Sequence, residues 1–193
     1  MITWSCKATL MALACSALTA CEGGQQGLST TLVKPEEVAL SRARMAFGQV
    51  LLVAPTGYCI DRSSLKQNFA LMARCDQLGR PSAAGDAPLG LITASFSPAN
   101  ANAVLPTANH TAQALGLDNV SRPVVTQSSV LFQAVGSVPD QDLGPVQWRG
   151  TAQIGSQFMG LALYGPADGR ATSSEGGALL SELINVSSAN AGT

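Results

Sequence analysis

From residue 38 onward the chain is a succession of short apolar runs of about four to eight residues, most of them closed by glycine or proline. Runs of that length suit strands and are too short for most helices. Residues 40–47 alternate, with Arg42 and Arg44 on one face and Ala43, Met45 and Phe47 on the other. Gly48-Gln49 breaks the alternation and Val50-Leu51-Leu52-Val53 follows, so the two runs read as a hairpin. Pro55-Thr56-Gly57 makes the next turn. Further strands are expected over 69–73, 89–96, 124–125, 130–135, 146–151 and 158–164, with Gly136, Gly144-Pro145, Gly155 and Gly165-Pro166 as punctuation. Helix signals are few. Asp61 can cap a short helix over 62–67, and Thr107 can cap one reaching Leu115. Thr172-Ser173-Ser174-Glu175 fits a capping box, behind which Leu180, Leu183 and Ile184 supply an i, i+3, i+4 apolar face.

Runs of strands interrupted by a few short helices indicate an α+β fold: a single domain over 38–188 on a largely antiparallel sheet, with the C-terminal helix packed on the sheet. Residues 189–193 are expected to form a disordered tail. The order of elements (an early hairpin, a helix, more strands, a closing helix) resembles the PsbP-type α/β/α sandwich. That resemblance implies a fold and no particular function.

Charged residues make up 12% of the chain, against about 25% in an average globular protein. Eleven Lys and Arg face twelve Asp and Glu. Nucleic-acid binding needs a clustered basic surface, so this balance argues against it and against a polybasic membrane-surface protein.

The first 21 residues carry an address. Residues 8–18 are an uncharged apolar run behind Lys7, too short to span a bilayer and of the length of a signal-peptide core. The run ends in Leu18-Thr19-Ala20-Cys21, which resembles the lipobox of bacterial lipoproteins. The resemblance implies a signal peptide over 1–20, diacylglyceryl transfer to the Cys21 thiol, and acylation of the amine freed by cleavage. Residues 21–37 would then be a lipidated, Gly-rich flexible tether. Two or three acyl chains hold a protein to a bilayer far more firmly than one. Glu22 after the lipidated cysteine favours the outer membrane over the inner, with the domain facing the periplasm.

Cys6 and Cys15 leave with the signal peptide and Cys21 is lipidated, so Cys59 and Cys75 remain. Cys59 is expected to end the second hairpin strand and Cys75 the strand after it. In an oxidising compartment a structural disulfide is the favoured reading; closing a loop of about 16 residues stabilises a fold by roughly 3 kcal/mol in the entropic account. A metal site with Asp61, Asp76 or His110 lacks paired-ligand spacing, and a redox pair would be C-x-x-C.

A catalytic set does not emerge. His110 is the single imidazole and sits in the polar stretch Asn109-His110-Thr111, where a surface position is favoured. Ser63-Ser64-Leu65-Lys66 matches S-x-x-K, but the K-T-G partner motif is absent and the chain is short for that fold. Glu36-Glu37, Asp140/Asp142 and Glu175/Glu182 could pair as acid and base, yet each lies in a loop-like or helix-surface context. Trp148 and Arg149 are adjacent on a strand, so one should face the core and the other solvent. No catalytic, cofactor-binding or metal residue is assigned. The reading is a non-enzymatic envelope lipoprotein, bound to the bilayer through acyl chains on Cys21 and acting on an envelope protein partner. The alternative is a small envelope hydrolase or transferase using His110 with Cys59 or a serine.

Overall fold

A computed structural model describes residues 39–100 and 103–190. The lipobox, Cys21, the tether and Glu36-Glu37 lie outside the described residues, as does the end of the expected tail. The strands are β1 (Ala39–Leu40), β2 (Arg42–Met45), β3 (Val50–Val53), β4 (Tyr58–Asp61), β5 (Phe69–Arg74), β6 (Leu91–Pro98), β7 (Asp118–Val125), β8 (Ser129–Val135), β9 (Val146–Ile154) and β10 (Gln157–Tyr164). Helix α1 spans Ala108–Leu115 and α2 spans Ser174–Ser188. Eight strands form one antiparallel sheet in the order β1-β4-β5-β6-β10-β9-β8-β7, while β2 and β3 form a separate two-stranded ribbon. The α+β class, the antiparallel sheet and the closing helix packed on it are as the sequence pattern indicates.

Alternation along each strand divides the sheet into two unequal faces. One face is sealed. Ile60, Met72, Ile92, Phe96, Leu131, Trp148, Met159 and Leu163 meet Met45, Val50 and Leu52 of the ribbon and Leu179, Leu180, Leu183 and Ile184 of α2 in a single buried cluster. The ends of ribbon and helix are joined where the Val53 amide donates to Ser187 Oγ at 3.1 Å. The other face is covered only toward its sides: Ala112 of α1 and Leu117 pack on Val130, Phe132 and Ala134 of β8, and Cys75 and Leu78 pack on Ala39 and Cys59 of β1 and β4.

Trp148 explains how closely α2 lies against the sheet. Its indole Nε1 donates to the Ser173 carbonyl at 2.7 Å. Its ring lies under Gly176 and Gly177, and a Cβ at Gly177 would stand 2.7 Å from Trp148 Cη2. Two glycines in a helix cost about 1 kcal/mol each relative to alanine; here they give the indole room.

Several local expectations are corrected. The strand ends at Met45, and Phe47 is 76% exposed instead of joining the buried face, because Ala46 and Phe47 both take positive φ to reverse the chain. The helix expected over 62–67 is one 3-10 turn, Arg62–Ser64: Asp61 accepts from the Ser63 amide, but Leu65 is extended and Lys66 bridges to Phe69. Cys59 lies within β4, beyond the turn that closes the ribbon, and Cys75 directly follows β5. The cap of α2 is Ser173, which accepts from the Glu175 amide, while Thr172 closes a preceding 3-10 turn. Strand β7 starts at Asp118, six residues earlier than the Val124-Val125 pair suggests; it is an exposed edge with register shifts and too polar to show as an apolar run.

Substituting Gly177 with alanine sets propensity against packing. Overpacking against Trp148 should win, lowering unfolding stability in urea by about 1–3 kcal/mol. A Gly177→Ala protein more stable than the unaltered one would contradict the contact.

Candidate functional site

The half-covered face carries a trough. Register places Thr93 (β6), Ala162 (β10) and Arg149 (β9) in one row across the sheet, and Ser95, Gly160 and Thr151 in the next. Ala162 and Gly160 are small, so the middle of both rows is low. A Cβ at Gly160 would stand 2.9 Å from Ser95 Oγ. Helix α1 forms one wall. Thr107 accepts from the His110 amide at its start, and Gly116 closes it in the left-handed conformation, φ 63°. That places His110, Thr111, Ala114 and Leu115 over the trough, enclosing a cavity of about 400 Å³.

Arg149 is the charged group on its floor. The guanidinium carbon lies 5.1 Å from the centre of the Tyr164 ring, and Nη2 donates to the Tyr164 hydroxyl at 2.9 Å. Nε is buried and has no acceptor. Among the described residues no carboxylate pairs with Arg149. Arginine has five donors in a rigid fork, and one of them is used here. A buried donor without an acceptor costs about 1–3 kcal/mol, so its presence calls for an explanation. The surroundings suit an anion: a fixed positive fork, the hydroxyls of Thr93, Ser95, Thr111 and Thr151, and apolar walls from Pro106, Ala114 and Leu115. A planar carboxylate matches the fork in two parallel hydrogen bonds.

The residues singled out in the sequence have separate fates. Cys59 and Cys75 form a disulfide, with Cα atoms 4.9 Å apart. The thiol that a Cys59/His110 pair would need is therefore consumed. His110 is exposed, as expected, and also lines the Arg149 cavity. Asp61 caps the 3-10 turn and accepts from Ser63, and Asp76 pairs with Arg74, so neither joins the cysteines. Among the described residues, no three Cys, His, Asp or Glu side chains are grouped to hold a metal. The S-x-x-K spacing is not helical. Trp148 and Arg149 face opposite sides of the sheet, as alternation requires.

The carboxylates hold structure together. Arg74 keeps the Asp76 carboxyl below the usual carboxylate range through a direct hydrogen bond, and Arg170 does the same for Asp86. Arg170 also binds Glu175, and Glu182 accepts from the Thr56 amide and hydroxyl at 2.9 and 2.7 Å instead of facing only solvent. Asp140 and Asp142 are exposed in the β8–β9 loop, where Asp140 accepts from the Asp142 amide at 2.9 Å. Burial pushes the Tyr58 phenol up, and its hydroxyl donates to the Pro88 carbonyl at 2.8 Å inside the sealed face.

A second cavity, lined by Arg122, Gln133, Asp168 and Thr172, holds both signs of charge, and its Arg122 is exposed. It lacks the buried, unpaired donor that marks the first. Sequence reasoning left Arg149 as an alternation partner of Trp148. The small residues Gly160 and Ala162 on the neighbouring strand, which open the trough, become informative only when β6 pairs with β10.

No family model matches the chain, and no curated protein matches it. Among solved structures it is similar to cyanobacterial PsbP (CyanoP) from Synechocystis sp. PCC 6803, at 11% identity over 88% of this chain and 96% of that one, with a TM-score of 0.43. Among the described residues no helix is long and apolar enough to cross a membrane.

Proposed function

We propose that this chain is a lipid-anchored binding protein of the bacterial envelope, held through Cys21 and facing the periplasm. Its folded domain recognises a carboxylate-bearing partner at Arg149. One observation carries the binding role: a guanidinium whose Nε is buried without an acceptor, on the floor of a cavity lined by hydroxyls and apolar carbons. The role is non-enzymatic. Cys59 is spent in a disulfide, and the His110 imidazole has no carboxylate against it among the described residues to orient it as a base.

Hexanoate carries the required chemistry, a carboxylate on a short apolar chain. Titrated into the protein, it should shift the Arg149 Nε–H resonance saturably. Arg149→Gln, which removes the charge and the fork, should weaken binding about tenfold or more. An Arg149 Nε–H signal that stays fixed through the titration would end the carboxylate reading.

The anchor is tested separately. Expressed in a lipoprotein-processing bacterium, the chain should incorporate labelled palmitate and stay with the membrane fraction. Cys21→Ser should lose both. Equal labelling in the two proteins would remove the lipid anchor.

A further inference from the structure

The near balance of acids and bases over the whole chain conceals an uneven placement of the acids, while bases lie at both ends of the sheet, Arg74 and Arg170 paired with Asp76, Asp86 and Glu175. The β2–β3 turn, the loop before β5, and the β9–β10 and β7–β8 turns all lie at one end of the sheet. Backbone hydrogen bonds tie them together: Ala46 N to Gln67 O at 2.9 Å, Phe96 N to Asn68 O at 2.9 Å, Ala99 N to Ser156 O at 2.8 Å and Gln153 N to Ser128 O at 2.8 Å. Gln49 of the ribbon turn accepts from Ser156 Oγ at 3.0 Å.

This end is apolar and basic. Phe47 is 76% exposed, Val104 87% and Val125 68%, with Phe69 beside Lys66. Arg44 and Lys66 are exposed there. Asp61 is the one acid of the described residues at this end, and its carboxylate is turned onto Ser63. The other acids of the described residues lie toward the opposite end. Asp76 and Asp86 sit between β5 and β6, Asp140 and Asp142 between β8 and β9, and Asp168 and Glu175 between β10 and α2. Asp118 opens β7 opposite Val135, and Glu182 binds Thr56.

The direction of the chain supplies an independent observation. Ala39 pairs with Asp61, so the backbone joins the domain at the basic, aromatic end. Glu36 and Glu37 precede it in sequence and lie outside the described residues. We infer that this end seats the domain on an anionic phospholipid surface, with Phe47 entering the headgroup layer, Arg44 and Lys66 against lipid phosphates, and the acidic end directed away. The inference rests on the lipid-anchored reading for its place in the cell, because a tether ending at Ala39 presents this end first. Aromatic side chains favour the membrane–water interface, and anionic leaflets attract Lys and Arg within a Debye length of about 8 Å.

The test uses the mature chain from residue 21 carrying Cys21→Ser, which has no acyl chains, so its outcome is independent of palmitate labelling. In co-sedimentation it should bind vesicles of equal parts phosphatidylglycerol and phosphatidylcholine, release in high salt, and leave pure phosphatidylcholine vesicles unbound. Arg44→Glu with Lys66→Glu should weaken binding about tenfold or more. Asp140→Asn with Asp142→Asn, at the far end, should leave it unchanged. Phe47→Trp should show a blue-shifted emission on the anionic vesicles. Circular dichroism confirms that each variant is folded. Failure of the unaltered chain to bind phosphatidylglycerol vesicles, equal binding to both vesicle types, undiminished binding of the double-Glu variant, or Phe47→Trp emission unmoved by vesicles would overturn the inference.

Discussion

The contact between Trp148 and the two glycines of α2 governs the arrangement of this domain. An indole is too large to fit between a sheet and an ordinary helix at close range. Gly176 and Gly177 leave the space, and the Nε1 bond to the Ser173 carbonyl fixes where the helix starts. With α2 held there, Leu180, Leu183 and Ile184 close the sealed face together with the ribbon, and Trp148, Ala152 and Ile154 of β9 with Met159, Leu161 and Leu163 of β10 are committed to the core. Alternation then forces Arg149, one residue along from Trp148, onto the opposite face. The anchor of the core and the candidate binding group are neighbours in sequence because a strand cannot point both inward.

The opposite face has no second long helix. Helix α1 is eight residues long and covers β7 and β8, so the rows through Thr93 and Ser95 remain open. A wholly sealed face would leave no access to Arg149, and a bare one would lack the wall that His110 and Leu115 supply. The uneven placement of acids along the strands adds a direction to this difference between faces. Among the described residues, most acids lie toward one end, and the exposed bases Arg44, Arg62 and Lys66 lie with several exposed apolar side chains at the other. The candidate binding face and the end proposed to meet a membrane are therefore different surfaces of the domain.

Much of this was legible in the sequence where local chemistry decides it. The hairpin of Arg42–Met45 with Val50–Val53 follows from alternation on both sides of a Gly-containing break. Thr107 marks the start of α1 through capping, with its end at Leu115 as expected, and the apolar spacing at Leu180, Leu183 and Ile184 gives the face of α2. Turn details were hidden because they depend on backbone conformation: Phe47 continues a perfect alternation on paper, but the chain reverses before it. Strand β7 was hidden for another reason, since an exposed edge held by pairing with β8 needs no apolar face. The trough was least legible. Its geometry comes from the pairing of β6 with β10, between segments some sixty residues apart in sequence. Gly160 and Ala162 look like ordinary small residues until that pairing sets them between Ser95 and Arg149.

We infer that Arg149 serves binding and contributes nothing net to folding. Urea denaturation of Arg149→Met tests it most directly, because methionine keeps much of the apolar stem and removes the charge. Loss of the Tyr164 contact should be offset by removal of a buried donor without an acceptor, leaving stability within about 1 kcal/mol of the unaltered protein, or above it. A loss of about 3 kcal/mol or more, of the size seen when a buried ion pair is broken, would show instead that the guanidinium is a structural element of the fold.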